Sequence, residues 1–133
     1  MATADLRTRA IKLLATKTGV DLTTTVTETV LYTVPTGKTL IIDHIIMRSF
    51  SADPTTSTVT FGQAGTATNF MPGPMVLTGI TSSYATQCVK IEPVPHITTP
   101  LVRVEYAAAT EIVIKTVVAG AGTCTVEVWG RLY

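Results

Sequence analysis

The sequence predicts an all-β domain, an antiparallel β-sandwich or jelly roll of about eight strands preceded by an N-terminal arm. Short segments that alternate apolar and polar residues recur along the 133 residues and are separated by turn residues. Threonine makes up about one residue in five, and β-branched side chains suit the pleated surface of a sheet. A chain of this length supports one hydrophobic core. We therefore expect an arm over residues 1–10 and a single sandwich domain over residues 11–133.

The clearest alternation runs from Val26 to Val34 and stops at the turn tripeptide Pro35-Thr36-Gly37. A long strand then follows from Lys38 to Arg48, and because both of its faces are apolar we expect a central strand covered on both sides. None of the strands alternates with an amphipathic helix, which excludes a parallel α/β sheet. The other predicted strands are, in chain order, Ile11 to Thr16, Thr56 to Phe61, Tyr84 to Ile91, Val102 to Tyr106, Ile112 to Val118 and Cys124 to Trp129.

The beginning of the chain fits two structures. Apolar residues from Leu6 to Leu14 have helical spacing, whereas Ile11, Leu13 and Ala15 alternate as in a strand. The segment is therefore either a short amphipathic helix that leads into a strand or an extended arm. We favour the extended arm.

The connection from Gly62 to Gly79 is longer than most loops of compact domains. It carries an apolar group that we expect to be exposed and to form a subunit interface, consisting of Phe70, Met71, Met75 and Val76. The alternative is that the loop folds over one open end of the sandwich and fills the core.

Composition excludes several classes of protein. With 46% hydrophobic residues and a net charge of +1, the chain lacks the low hydrophobicity and high charge of disordered proteins. It also lacks the surplus of Lys and Arg that marks a nucleic-acid binder, so we expect no direct contact with nucleic acid. The longest apolar cluster, Leu40-Ile41-Ile42, is far shorter than the roughly twenty residues of a membrane span, so no membrane association is expected.

The two cysteines, Cys88 and Cys124, allow at most one internal disulfide, and their spacing fits no zinc motif. We expect both to be small buried hydrophobic residues in a chain made in a reducing cytoplasm.

The residues that catalysis requires are scarce, so we expect no enzymatic activity, no cofactor and no metal site. His44 lies inside the most apolar strand and His96 stands beside Pro95, without the spacing of a metal-binding motif. We interpret His44 as a packed or interface histidine. Its neighbour Asp43 is expected on the opposite face of the strand, because successive strand residues point in opposite directions.

Positive charge is concentrated near the N-terminus, where Arg7, Arg9, Lys12 and Lys17 account for four of the ten Lys and Arg residues. Such a density favours an acidic partner surface. A solvated arm beside a strand explains it equally well.

The stretch from Thr29 to Ile42, which contains Leu31-Tyr32-Thr33-Val34-Pro35-Thr36-Gly37-Lys38-Thr39, resembles the LYTVPAGKT strand-turn-strand of small β-sandwich proteins of tailed bacteriophages and prophages. The ending from Thr125 to Tyr133 is also similar to the ending of those chains. Together the similar segments cover about half the chain. The chain departs from the motif at Thr36, where Ala is commoner.

The resemblance implies a structural virion protein, namely a head decoration or cement protein with a jelly-roll fold that is often trimeric. Its implied partners are the major capsid protein or other virion proteins and copies of itself, and its implied location is the virion, assembled in the host cytoplasm. Two alternatives remain open, a tail-tip or neck component and a carbohydrate- or receptor-binding β-sandwich module.

Overall fold

The computed structural model describes residues 10–70, 74–80, 84–92 and 104–133. Every strand pairing among these residues is antiparallel. None of them belongs to a helix with the length and apolar character that a membrane crossing requires. In chain order, the strands are β1 (Lys12–Asp21), β2 (Glu28–Thr33), β3 (Leu40–Arg48), β4 (Thr58–Gln63), β5 (Met75–Val76), β6 (Val89–Ile91), β7 (Glu105–Tyr106), β8 (Glu111–Val118) and β9 (Thr123–Leu132).

The strands form two sheets that pack face to face. Sheet A has the order β1-β9-β3-β6, with β7 also paired to β3, and sheet B has the order β2-β8-β4-β5. The predicted all-β antiparallel sandwich is thus confirmed. It has nine described strands rather than about eight, because the short strand β5 forms within the predicted loop.

The core lies between the sheets because alternation along each long strand turns one apolar row inward. In β3 this row consists of Leu40, Ile42, Ile45 and Met47, all of them buried. The facing and flanking buried residues include Val59 and Phe61 of β4, Ile112 and Ile114 of β8, and Cys124, Val126 and Val128 of β9.

The outer face of β3 differs from the prediction. β3 is central, since β9 pairs with one of its edges and β6 and β7 pair with the other. However, Ile41, His44 and Ile46 on its outer face are only half-buried. The prediction of coverage on both sides is therefore wrong for the described part of the chain. β-branched residues suit a pleated surface whether or not a second layer covers it. Their presence on both faces of β3 therefore does not show whether the outer face is covered.

The connection between β4 and β5 packs against its own sheet. Phe70 N–H donates to the carbonyl oxygen of Phe61 at 3.3 Å, and Gln63 N–H donates to Asn69 Oδ1 at 3.0 Å. The core residue Tyr106 also donates its hydroxyl to Asn69 Oδ1, at 3.0 Å. Phe70, together with Leu77 and Ile80 farther along, is buried in the core. The described part of the loop therefore contributes to the core. This agrees with the alternative prediction, in which the loop folds over the sandwich and fills the core.

The cysteines differ in their environments. Cys124 is buried on the inner face of β9, as predicted, and this burial raises the pKa of its thiol to about 12. Cys88 is exposed, so the prediction that it is buried is wrong. Of the strand predicted from Tyr84 to Ile91, only Val89–Ile91 forms, and Cys88 precedes this short strand rather than lying within a covered sheet.

Replacement of Gly62 tests how closely the loop packs on β4. A Cβ at Gly62 would lie 2.6 Å from both Asn69 Oδ1 and the carbonyl oxygen of Thr66, so the loop would have to move. We expect Gly62→Ala to lower the free energy of unfolding by about 1–3 kcal/mol, measured by urea denaturation with Trp129 fluorescence. Gly79→Ala is the control, since no atom lies within 4 Å of its Cβ position. Equal stabilities of the two variants would contradict this packing.

Candidate contact surfaces

The cationic residues expected to contact a partner lie partly in a strand. Lys12 and Lys17 are both exposed and both belong to β1. Arg7 and Arg9 lie outside the described residues. The first strand is longer than predicted and ends at Asp21 rather than near Thr16.

β1 is an edge strand, because β9 is its only partner within the described residues. Its pairing with β9 is interrupted twice, between Leu13 and Ala15 and between Lys17 and Val20. Gly19, in the second interruption, has a φ of 67°, which glycine adopts without a steric penalty. Bulges and lysines on an edge discourage the addition of another strand. The edge of β1 therefore favours contact through charged side chains over contact through backbone pairing.

The four loop residues expected at an interface have different environments. Phe70 is only 6% exposed and belongs to the core, so it is not the exposed contact residue that was predicted. Met75 is half-buried, and Val76 is 56% exposed. Met71 lies outside the described residues. Periodicity could not separate these residues, because a loop that returns to its own core has apolar side chains just as an interface loop has.

Val76 belongs to a small apolar patch on sheet B. Thr58 of β4 is paired with Val76 on one side and with Val118 of β8 on the other, so the three side chains form one row across the sheet. Val76 and Val118 are both about half exposed, and Val117 next to them is also exposed. We call Val76, Val117 and Val118 the valine patch.

A group of polar and aromatic side chains covers part of the outer face of sheet A. Glu127 is at its centre: it accepts a hydrogen bond from Trp129 Nε1 at 3.0 Å and another from Arg48 Nε at 2.9 Å. The His44 ring stacks on Trp129 with ring centroids 5.6 Å apart, and His44 Nδ1 lies 2.8 Å from Asp43 Oδ2. We call these five residues the sheet A cluster.

The contact between Asp43 and His44 corrects the prediction that they lie on opposite faces. Along the pairing of β3 with β9, Ile42 is opposite Gly130 and His44 is opposite Trp129, so Asp43 is an additional residue in β3. Such a bulge interrupts the alternation of side chains. No residue type in this segment signals the bulge, whereas the shared face of Glu127 and Trp129 follows from their spacing of two.

Hydrogen bonds within the sheet A cluster lower the pKa of Glu127. The largest cause is the hydrogen bond from Trp129, and the hydrogen bond and positive charge of Arg48 act in the same direction, while burial opposes them. The ionised carboxylate is therefore the form that the folded protein stabilises. This stabilisation is complete above the ordinary pKa of 4.5 and is lost as the pH falls through the lower pKa of the folded state.

We predict that Glu127→Gln lowers the free energy of unfolding at pH 7 by about 1 kcal/mol, because a charge-assisted hydrogen bond to Arg48 becomes a neutral one. Between pH 5 and pH 3 the difference from wild type should shrink, since acid weakens only the wild-type carboxylate contacts. Urea titrations across this pH range measure both effects. Glu92→Gln is the control, because Glu92 pairs with Lys90 at a site where both side chains are 57% exposed. A constant difference between wild type and Glu127→Gln across the range would contradict the assignment.

Comparisons with known proteins give one informative similarity. No protein-family model matches the chain, and no curated protein sequence matches it. Its fold is similar to that of a chain in the solved capsid asymmetric unit of cyanophage Pam1, with a TM-score of 0.54 and 16% sequence identity. The similarity covers 92% of this chain and 84% of that chain. The similarity extends over nearly the whole sandwich. At 16% sequence identity, it shows a similar fold.

Proposed function

We propose that this chain is a structural protein of a phage virion, and more narrowly a decoration or cement protein that binds the head surface as a trimer. The observation that carries the proposal is the fold similarity, over 92% of the chain, to a chain in a phage capsid asymmetric unit. The strand-turn-strand sequence around Pro35-Thr36-Gly37 supports it independently, because it resembles small virion proteins of tailed phages. The partners are then the major capsid protein or other virion proteins.

The two kinds of exposed surface suit such a role. Lys12 and Lys17 make the edge of sheet A positive, which favours an acidic neighbour. The valine patch lies on sheet B and is apolar, which favours a contact from which water is excluded. Because the surfaces belong to different sheets, one copy has separate regions for binding a capsid and for binding its own kind.

Immunogold electron microscopy tests the location directly. Antibodies against the purified chain are applied to particles of the phage whose genome encodes it, and label over the head surface is expected. Label confined to the neck or tail tip would support the alternative virion position. Absence of the chain from purified particles by mass spectrometry would overturn the virion proposal.

Reversal of charge on β1 tests the capsid contact. We expect Lys17→Glu to lower occupancy on capsids by about tenfold at low ionic strength, with a smaller loss in high salt because exposed charges are screened. Quantitative gel analysis of capsids incubated with the protein measures this occupancy. Lys38→Glu is the control, since Lys38 is also exposed but lies in the turn before β3. Equal occupancy of the two variants would count against β1 as the contact.

Substitution in the valine patch tests self-association. We expect the wild-type chain to sediment as a trimer and Val76→Asp to sediment as a monomer, because a buried unpaired carboxylate opposes an apolar contact. Val30→Asp is the control on the same sheet, outside the valine patch and 39% exposed. Sedimentation velocity with circular dichroism separates dissociation from unfolding. A Val76→Asp variant that remains trimeric would exclude the valine patch as the interface.

A further inference from the structure

A cleft of about 510 Å³ lies on the outer side of sheet B. Its floor is formed by Thr60 of β4 and Lys115 of β8, which are directly opposite each other in the sheet. One wall is the loop from Gly65 to Thr68 together with Pro74, and the other is Val26 with Val117. The volume is in the range of small-ligand sites, roughly 300–1,000 Å³.

The loop wall is held in place by a carboxylate. The backbone N–H of Gly65 donates to both carboxylate oxygens of Glu28, at 3.2 and 3.1 Å. Glu28 is paired with Lys115 across β2 and β8, so the order across the sheet is Glu28, Lys115, Thr60. Among the described residues, no carboxylate oxygen lies within ion-pair distance of the Lys115 ammonium group. Lys115 is therefore a half-buried cation without an ionic partner in the described structure.

Thr60 supplies a second unused polar group. Its side chain is 1% exposed, and its hydroxyl has no hydrogen-bond partner in the part of the chain that the structure describes. A buried hydroxyl without a partner lowers the stability of a fold, so such groups are rare in native proteins. Lys115 is thus a cation that lines the cleft, and the hydroxyl of its cross-strand neighbour Thr60 is a second donor that an anionic oxygen reaches only when the atoms covering it shift.

We propose that this cleft binds a side-chain carboxylate of an extended peptide, with Lys115 and Thr60 as donors and the aliphatic walls against the residues that flank the acidic one. Glu28, the cross-strand neighbour of Lys115, repels any bound anion, and it repels the single charge of a carboxylate less than the double charge of a phosphate dianion. Among the described residues, the walls contain Val26, Val117 and Pro74 but no aromatic ring on which a sugar would stack. They suit aliphatic side chains instead.

The valine patch supports a peptide as the occupant. Val117 lines the cleft and belongs to the patch, so the apolar surface continues from the cleft toward Val118 and Val76. An extended chain has alternate side chains available for such a surface. We expect the peptide to be part of a neighbouring virion protein, and this expectation rests on the proposed function. The chemistry by which the cleft would bind a carboxylate does not depend on that function.

The test is a titration of the isotope-labelled full chain with the tripeptide Leu-Glu-Leu, acetylated and amidated at its ends, followed by ¹H–¹⁵N correlation spectra. Shifts are expected at Thr60, at residues 65–68 and at residues 115–117. We expect a dissociation constant of about 10 mM or below, and about fivefold weaker binding of Leu-Gln-Leu, which lacks the charge. Equal affinity for the two tripeptides would overturn the proposal.

Three variants locate the donors. Lys115→Gln should weaken the binding of Leu-Glu-Leu about fivefold and remove the preference over Leu-Gln-Leu. Thr60→Val keeps the shape of the side chain and removes an unpartnered hydroxyl, so it should fold at least as stably as wild type but bind about twofold more weakly. Lys90→Gln, at an exposed position on sheet A, is the control and should bind as wild type does. Unchanged binding by Lys115→Gln would overturn the proposal that Lys115 binds the carboxylate. Unchanged binding by Thr60→Val would show that the Thr60 hydroxyl is not a donor.

Galacturonate and inorganic phosphate are titrated as alternative ligands, the first representing a sugar carboxylate and the second a phosphate. Tighter binding of either than of Leu-Glu-Leu would overturn the choice of a peptide. The immunogold experiment decides the virion location separately. Failure of peptide binding would thus leave the proposed function intact, and absence from virions would leave the chemistry of the cleft intact.

Discussion

Burial of the inner apolar row of β3 and β9 against sheet B is the constraint on which the other features depend. The inner row of β3 (Leu40, Ile42, Ile45 and Met47) packs against a layer that includes Phe61 and Ile114. This burial decides which face of each sheet points inward, because apolar side chains are more stable away from water. The register that results from this burial also decides which side chains face outward. Glu127 and Trp129 lie beside the outer residues of β3 for this reason, and Thr60 and Lys115 lie side by side on the outer face of sheet B.

Interruptions of the strand register place several of the candidate contact residues. The additional residue Asp43 in β3 brings its carboxylate to the His44 ring, and two interruptions in β1 mark the edge that carries Lys12 and Lys17. A third, between Thr58 and Val59 in the pairing of β4 with β8, leaves Val117 without a direct partner beside the cleft. Each interruption departs from strict alternation and re-aims a side chain at the surface.

The surface features give the chain two distinct sides. Sheet A carries a positive edge and the hydrogen-bonded sheet A cluster, in which hydrogen bonds from Trp129 and Arg48 stabilise the ionised form of Glu127 and lower its pKa. Sheet B carries the valine patch and the cleft around Lys115. The two sheets therefore present outward surfaces of different chemistry, one mainly charged and the other mainly apolar.

The sequence by itself determined the all-β class, the antiparallel sandwich and the positions of the long strands, because alternation and turn residues such as Pro35-Thr36-Gly37 are local signals. The spacing of two between Glu127 and Trp129, within the strand predicted from Cys124 to Trp129, is also enough to place them on one face. Only the tertiary structure decided that Phe70 is buried while Val76 is exposed, that Cys88 is exposed, and that Asp43 contacts His44. These outcomes depend on which distant strands pair and on where a register slips by one residue, and no local pattern encodes either. The cleft around Thr60 and Lys115 arises in the same way, since β2, β4 and β8 are distant in the sequence and adjacent in the sheet.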